Sequence, residues 1–329
     1  MSIIVPTFNG AQRIGACLDA LQQQQCDTPF EILVVDDGST EGTAAVVNQF
    51  TDVRLIRQGN AGPAAARNRG AREAAGTIIL FTDDDCVPLS NWLEVMVAPF
   101  RDPEVVGAKG AYRTRHRSVI ARFVQIEYED RYRMVARQQD IDFIDTYSAA
   151  FRRQHFFEMG GYDTSFPVAC AEDVELSYRM SAHGWKMRFA LGAIVYHTHP
   201  DRLVSYLRKK YKFAYWRMLA VRKNPAKGVK DSHTPQIMKL QLLLAPALLM
   251  AGFFDVSMRP RFPATLMVLG GFLLSTIPFA LRAVRKDFNV ALLSPLLLAA
   301  RAGAQFLGAT RGAIYAWRSP AILQRKKAA

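Results

Sequence analysis

Cysteines are scarce in this sequence, and their spacing is not that of a disulfide framework. The chain has 329 residues and four cysteines, Cys17, Cys26, Cys86 and Cys170, with no CxxC pair. We therefore expect reduced thiols in a cytosolic compartment. A signal peptide is not expected either, because Met1 leads directly into the apolar run "SIIVPTF" without a basic start.

The chain also lacks internal repeats, low-complexity segments and any nucleic-acid-binding motif. Its net charge of +13 is compatible with nucleic acid, an anionic membrane or a phosphorylated ligand as partner. The basic residues cluster beside apolar segments, at 208–230 and in the tail 318–329, which argues against nucleic acid. Hydrophobic residues make up 50% of the chain and charged residues 22%, so a packed core is expected rather than disorder.

Short apolar runs alternate with helical patterns over residues 1 to 113. The runs "SIIVPTF", "EILVV", "VRLIRQ" and "TIILF" read as strands, and amphipathic segments such as "AQRIGACLDALQQQ" separate them. Fully apolar strands between amphipathic helices predict βαβ units and a parallel sheet covered on both faces. The expected fold class is therefore α/β, with a Rossmann-like, mostly parallel sheet.

Polar residues follow three of these strands. "PTFN", "DDGS" and "TDDD" each come directly after an apolar run, and ligands bind at the carboxyl ends of parallel strands. Asp83 and Asp85 would project to the same side of an extended backbone, where carboxylate oxygens suit Mg²⁺ or Mn²⁺. The alternative is that these are only turn residues, since Asp, Asn and Gly favour turns in any case.

The ordered set of motifs resembles the family 2 glycosyltransferases, which have the GT-A fold. The resemblance rests on "SIIVPTFN", "EILVVDDGST", "NAGPAAARNRGAREAAGTIILFTDDDC" and "GGYD…AEDVELSYRMSAHGW", and it covers residues 1 to about 200. It implies an inverting transferase that uses a nucleotide-diphospho-sugar and a divalent cation, Mg²⁺ or Mn²⁺. The motif "QxxRW" of processive members is missing from the sequence, which argues against a cellulose- or chitin-type polymerase.

The resemblance also implies a donor-binding set of eight residues: Pro6, Thr7, Asn9, Asp36, Asp37, Arg67, Asp83 and Asp84. In this set "PTFN" would lie beside the base and ribose. Asp37 would bind the base, with Asp36 supporting the turn. Arg67 would face the nucleotide, and Asp83 and Asp84 would contact the ribose and diphosphate.

The same resemblance implies the metal ligands. Asp85 would hold the cation together with Asp83. Some related transferases add a late histidine, so "YHTHP" offers His199 as a further ligand, with His197 as the other choice. The alternative is that both histidines are a polar strand end before a proline.

Asp173 in "AEDVE" is the predicted general base. Inverting transfer is a single displacement at the anomeric carbon, and a carboxylate must take the proton of the acceptor hydroxyl. The start of the helix "EDVELSYRM" would hold that carboxylate in place. The alternative is that Glu172 and Asp173 merely cap this helix.

The chain changes character after residue 200. We expect a catalytic domain at 1–200, a basic amphipathic interfacial region at 201–235 and a membrane-associated helical region at 236–329. The charge-free segment 263–281 is long enough to cross a bilayer, which takes about 20 residues. The segment 290–307 contains Arg301 and is either a third span or re-entrant or interfacial.

The basic helix 203–221 is expected on anionic headgroups, although an ordinary helix with a solvated basic face remains the alternative. The expected protein is thus a transferase at the cytoplasmic (inner) membrane with its catalytic domain facing the cytosol. Its acceptor would be lipid-linked or a saccharide, in glycolipid or surface polysaccharide synthesis. The alternatives are a polyprenyl-phosphate glycosyltransferase and, from another class, a basic nucleic-acid-binding or scaffold protein.

Overall fold

The computed structural model describes residues 1–166, 171–229, 231–232, 234–260 and 262–318. Cys170 and the tail 319–329 lie outside the described residues. The chain forms two compact units that alternate along the sequence. The first comprises 1–115, 132–198 and 223–233, and the second comprises 116–131, 199–222 and 234–329. The separate roles predicted for 1–200, 201–235 and 236–329 stay predictions.

The described residues of the first unit contain eight strands in one sheet, in the order β3-β2-β1-β4-β7-β6-β8-β5. The strands are β1 (Ser2–Thr7), β2 (Glu31–Asp36), β3 (Val53–Arg57), β4 (Ile78–Phe81), β5 (Cys86–Pro88), β6 (Val105–Arg113), β7 (Ala149–Arg152) and β8 (Lys186–His197). The α-helices among the described residues of both units are α1 (Ile14–Gln22), α2 (Thr43–Val47), α3 (Pro63–Glu73), α4 (Trp92–Val97), α5 (Val119–Val135), α6 (Arg153–Glu158), α7 (Glu172–Ala182), α8 (Leu203–Lys223), α9 (Ala226–Val229), α10 (Gln236–Met258), α11 (Ala264–Val284) and α12 (Phe288–Arg318).

The parallel half of the sheet brings the polar strand ends together. β1 pairs in parallel with β2 and β4, and β2 pairs in parallel with β3. In this register Thr7 at the end of β1 lies beside Asp36 at the end of β2. All of β1 is buried, and β2 is buried from its second residue, as expected for strands covered on both faces. The predicted mostly parallel α/β sheet is confirmed.

The other half of the sheet is mixed. β7 is antiparallel to both β4 and β6, and β5 is antiparallel to β8, whereas β6 and β8 run parallel. The pairing of β5 with β8 places Cys86 opposite His197. The short β5 therefore brings the residue after the acidic triplet to the end of the longest strand.

Helix α3 lies close to the sheet because its inward face is made of small residues. Ala64, Ala66, Gly70 and Ala71 are buried, and a Cβ on Gly70 would clash with the side chain of Ile4. Pro63 occupies the first turn, where its missing N–H costs nothing. This close approach carries the long side chain of Arg67 inward from the same face.

The second unit contains the apolar helices. α10, α11 and α12 are each long and apolar enough to cross a membrane. Asp255 near the end of α10 accepts hydrogen bonds from the first two amides of α11, Ala264 and Thr265, at 2.8 Å each. This carboxylate satisfies amides that the start of a helix leaves without intrahelical partners. The end of α10 is thereby tied to the start of α11.

Helix α12 packs closely along the basic helix α8. An added Cβ on Gly308 or Gly312 would clash with the main-chain carbonyl of Tyr211 or Tyr215. Tyr315 packs on Tyr215 and Trp216 farther along. Small residues at this spacing let two helix backbones approach closely.

A buried ionic group also belongs to the second unit. Glu127 of α5 accepts from Arg301 of α12 at 2.6 Å and pairs with Lys210 of α8 at 3.0 Å. Arg301 also donates to the side chain of Gln241. Burial would raise the pKa of Glu127, but these two cations bring it down to about 2. Arg301 therefore faces protein within the second unit.

Candidate active site

The three aspartates that follow β4 have different partners. Asp84 is nearly buried, Asp83 is partly exposed, and Asp85 is the most exposed, with 40% of its side chain accessible. Adjacent carboxylates repel one another, so each must be stabilised separately or share a cation. Their different surroundings assign a different task to each.

Asp84 is a structural carboxylate in this arrangement. It accepts a hydrogen bond from the Thr7 hydroxyl at 2.6 Å and two from the Arg13 guanidinium, at 2.7 and 3.0 Å. Gly10 has no room for a side chain, because a Cβ there would clash with Thr7 and Asp84. Asp84 thus ties the end of β4 to the β1–α1 loop. Its predicted contact with the ribose or diphosphate stays a prediction.

Arg67 connects the acidic strand end to the start of α7. Its guanidinium donates to Asp83 at 2.6 Å and to Glu172 at 3.0 Å, and it lies 5.9 Å from the ring centre of Tyr162. Both Arg67 and Glu172 are almost fully buried. Burial would lower the pKa of the guanidinium, but the two carboxylates raise it. The predicted contact of Arg67 with the nucleotide stays a prediction.

Asp85 lies against a histidine at the end of β8. The Nε2 atom of His197 is 3.2 Å from a carboxylate oxygen of Asp85. The ring of His197 also packs on Tyr112, with 4.8 Å between the centroids. His199, the predicted third ligand, belongs to the second unit, where its Nε2 is 3.2 Å from the amide oxygen of Gln125 and its ring stacks on Tyr128. Metal binding by His199 stays a prediction.

The residues at this strand end fit a divalent cation. Ligand atoms of Asp83, Asp85 and Cys86 lie within 4.8 Å of one another. Burial and the two carboxylates raise the pKa of the Cys86 thiol well above its usual value, so the thiol stays protonated and is a poor ligand. The remaining donors are carboxylate oxygens, which suit Mg²⁺ or Mn²⁺.

The aspartates after β2 hold the neighbouring loops. Asp36 is fully buried and accepts from the amide of Ser39 at 2.9 Å. Asp37 accepts from the side chain of Gln58 at 2.7 Å and from the amides of Ala61 and Gly62 at 2.9 and 2.8 Å. Asp36 therefore stabilises the turn after β2, and its part in donor binding stays a prediction. Asp37 fixes the entry to α3, and its contact with the base stays a prediction.

The loop after β1 presents two exposed residues at the same edge of the sheet. Phe8 is 45% exposed. Asn9 is also exposed, with a left-handed φ of 50°, and its side chain accepts from the amide of Thr40 at 3.0 Å. Pro6 and Thr7 are buried beneath them. Of the predicted "PTFN" set, the last two residues are thus accessible to a ligand.

Asp173 is the second residue of α7. Its carboxylate accepts from the amide of Val174 at 2.7 Å and makes no ion pair within the described part of the chain. Burial and the charges of Glu172 and Asp145 raise its pKa well above that of an ordinary aspartate. The N-cap of this helix is Ala171, which offers no side-chain cap. The arrangement therefore allows both the proton-accepting role and a partial capping role.

Several contacts at the site have no signal in the sequence. Arg13 lies in an unremarkable helical pattern, yet it pairs with a carboxylate 71 residues away. Asn68 accepts from the amide of Tyr162 and donates to its carbonyl, at 2.9 and 2.8 Å. The neighbouring Gly161 has a φ of 70° and no space for a side chain beside Asn68. Nothing in the motif "GGYD" indicates that Asn68 is the partner of this turn.

Comparison with known proteins gives consistent matches. Residues 2–160 match the model of Glycosyl transferase family 2. The glycosyltransferase AglE of Haloferax volcanii is 39% identical over 100 residues, which cover 29% of this chain and 33% of that protein. The chondroitin synthase of Pasteurella multocida is 24% identical over 288 residues, which cover 72% of this chain and 29% of that protein. The chain thus spans about a third of the length of these relatives.

A solved structure resembles almost the whole chain. A mannosyltransferase from Pyrobaculum calidifontis, solved with GDP-Man and Mn²⁺, superposes with a TM-score of 0.62 at 22% identity. The match covers 92% of this chain and 85% of that one. At this identity the likeness shows the fold, and it confirms the predicted GT-A class.

Replacing Arg67 by Met should destabilise the first unit strongly. The change leaves Glu172 as a buried charge without its cation, and breaking a buried pair in this way costs about 3–5 kcal/mol. Adding Glu172→Gln should restore part of that loss. Thermal unfolding of the detergent-solubilised protein would measure both effects.

Arg69→Met is the matched control, because Arg69 pairs with Glu73 at the surface of the same helix. An exposed pair contributes about 1 kcal/mol or less. If Arg67→Met had the same melting temperature as Arg69→Met, the buried bridge would contribute little to stability. The site would then not depend on it.

Proposed function

The chain belongs to glycosyl transferase family 2 through its residues 2–160, and we propose that it transfers a sugar from a nucleotide-diphospho-sugar to an acceptor hydroxyl with inversion. The observation that carries this proposal is the pair of carboxylates, Asp83 and Asp85, whose oxygens lie within 4.8 Å of each other where β4 ends. A cation there would neutralise the negative charge of the departing diphosphate.

On the donor side, the protein's own residues hold the diphosphate end and the nucleoside in fixed positions. Asp85 would be the main metal ligand, and His197 orients it through the 3.2 Å contact. Asp83 would contribute an oxygen while remaining paired with Arg67. Phe8 and Asn9 would lie against the nucleoside, because they are the exposed residues of the β1–α1 loop.

On the acceptor side, Asp173 would take the hydroxyl proton as the oxygen attacks the anomeric carbon. Its neighbour Glu172 is buried and paired with Arg67, so of these two adjacent acids Asp173 is the one available for proton transfer. Burial and the charges of Glu172 and Asp145 raise its pKa, which makes the ionised carboxylate a stronger base than an ordinary aspartate. Attack from the face opposite the diphosphate inverts the anomeric centre.

For the acceptor, a glycolipid or a growing saccharide is the preferred class. Relatives of this chain include the chondroitin and hyaluronan synthases of Pasteurella multocida, which supports a saccharide hydroxyl as the nucleophile. A polyprenyl phosphate is the second candidate, and the apolar helices of the second unit favour such a lipid. A phosphate is already ionised and needs no base, so the role of Asp173 separates the two.

For the membrane, we propose that α10 and α11 cross as a hairpin and that α12 lies in the cytosolic interface. The basic helix α8 carries too many charges to enter hydrocarbon, and the second half of α12 packs backbone to backbone along it. The most apolar 18-residue stretch of α12 is also more buried within the protein, at 39%, than the corresponding stretches of α10 and α11, at 11% and 22%. The basic residues 282–286 would then face the cytosol with the catalytic unit.

Removal of the metal ligand is the first test. Asp85→Ala should lower transfer at least about a hundredfold, because metal stabilisation of the leaving group is worth several kcal/mol. A screen of UDP- and GDP-sugars for Mn²⁺-dependent hydrolysis or transfer would measure it, with Asp52→Ala, an exposed carboxylate of the same unit, as control. Near-normal activity of Asp85→Ala in EDTA would rule out the metal role.

Asp173→Asn separates the base from the cap. Asn keeps the size and can still accept a hydrogen bond, but it cannot take a proton. We expect normal donor binding, a melting temperature close to wild type and transfer slower by at least about a hundredfold. Glu172→Gln should leave more activity. Full transfer by Asp173→Asn would leave only a capping role and favour a phosphate acceptor.

Labelling of single cysteines tests the membrane arrangement. The native cysteines are first replaced by Ser, and a single cysteine is then introduced as Phe262→Cys or as Trp317→Cys. Both positions are exposed. With α10 and α11 as the only spans, a membrane-impermeant maleimide should label position 317 from the cytosolic side and position 262 from the opposite side. Labelling of both from the side opposite the catalytic unit would show that α12 is a third span.

A further inference from the structure

Lys109 is a buried lysine with no part in the donor site described above. It lies in β6, is only 4% exposed, and its ammonium group pairs with the carboxylate of Asp145. The same ammonium lies 4.5 Å from the ring centre of Phe143. Removing a lysine from water is costly unless its charge is paired. The buried Lys109–Asp145 pair therefore needs a structural or functional explanation.

Asp145 is held beside the first turn of α7. The amide of the preceding residue, Ile144, donates to the Ser177 hydroxyl at 3.0 Å. That hydroxyl in turn donates to the main-chain carbonyl of Asp173 at 2.7 Å. Ser177 is fully buried, so this link joins two main chains inside the core. The carboxylates of Asp145 and Asp173 are therefore carried by neighbouring, rigidly connected backbones.

The charges around this turn are unequally matched. The carboxylates of Asp145 and Glu172 both interact electrostatically with the carboxylate of Asp173. In the described part of the chain, Lys109 pairs with Asp145 and Arg67 pairs with Glu172. Arg67 is also shared with Asp83, and the phenol of Tyr162 faces the turn as well. Glu175 belongs to the same turn and is paired with Arg179. Among the described residues, neither Lys109 nor Arg67 forms an ion pair with Asp173.

We propose that Lys109 is a positioning residue for the transfer reaction: by holding and neutralising Asp145, it leaves Asp173 as the carboxylate that takes the acceptor proton. This inference rests on the proposed base role of Asp173. It adds a distant pair, on β6 and on the segment before β7, to the set of residues that control the reaction.

The sign of the effect follows from the charges. A general base works in its ionised form, so the rate rises with pH through its pKa. Losing the positive charge of Lys109 leaves the charge of Asp145 unneutralised, which disfavours ionisation of the nearby Asp173. The acid limb, the part of the pH profile where the rate rises as the base ionises, then moves to higher pH. Losing the negative charge of Asp145 has the opposite effect. Removing both charges should return the limb close to its starting position.

The experiment is the pH profile of kcat/KM for transfer by the full-length protein at saturating Mn²⁺. We expect Lys109→Met to shift the acid limb upward and Asp145→Asn to shift it downward, each by about half a pH unit or more. Below the limb this is a change in rate of about threefold or more. Lys109→Arg should restore the wild-type position, as should Lys109→Met combined with Asp145→Asn.

Lys186→Met is the matched control, because Lys186 forms an exposed pair with Glu104 in the same unit. It should leave the limb in place. Variants that are slower at every pH with an unshifted limb would show that the pair is only structural and overturn the inference. If Lys109→Met does not fold, an unshifted limb in Asp145→Asn overturns it alone. Failure of the proposed function is distinct: the acid limb would then persist in Asp173→Asn.

Discussion

The bridge that Arg67 makes between Asp83 and Glu172 is the constraint on which the rest of the site depends. It joins the end of the parallel sheet to the start of α7, two parts of the chain that are 105 residues apart at Glu172. The small inward face of α3 makes the bridge possible, because it lets the helix lie against β1 and β2. By pairing with Glu172, the guanidinium leaves Asp173 for the proposed proton transfer. By pairing with Asp83, it holds that carboxylate beside Asp85 for the proposed metal.

The sequence predicted the parts of the site that local patterns determine. The apolar strands and the polar residues after them placed Thr7, Asp36 and Asp83 at one edge of a parallel sheet. It could not predict partners that depend on distant pairing. The antiparallel β5–β8 pair decides that His197 lies against Asp85, and nothing near "YHTHP" indicates this. The sequence gives no indication that Lys109 pairs with Asp145 either, because each is a single charged residue in a segment without a recognisable motif.

In the apolar half of the chain, too, the sequence predicts the elements but not the contacts between distant residues. Length and hydropathy identified the three long helices, and Arg301 marked the third as unusual. Its partners, Glu127 on α5 and Lys210 on α8, could not be read from the sequence, because α5 precedes the apolar region by about a hundred residues. Nor does hydropathy indicate that Gly308 and Gly312 fit the backbone of α8.

A structure of the protein with Mn²⁺ and a nucleoside diphosphate would test the central claim most directly. The account predicts an anomalous peak for the ion within bonding distance of a carboxylate oxygen of Asp85, about 2.0–2.2 Å. It also predicts that Arg67 keeps both carboxylate partners in that state. An ion bound away from Asp85, or an Arg67 released from Glu172 to hold the diphosphate, would contradict it.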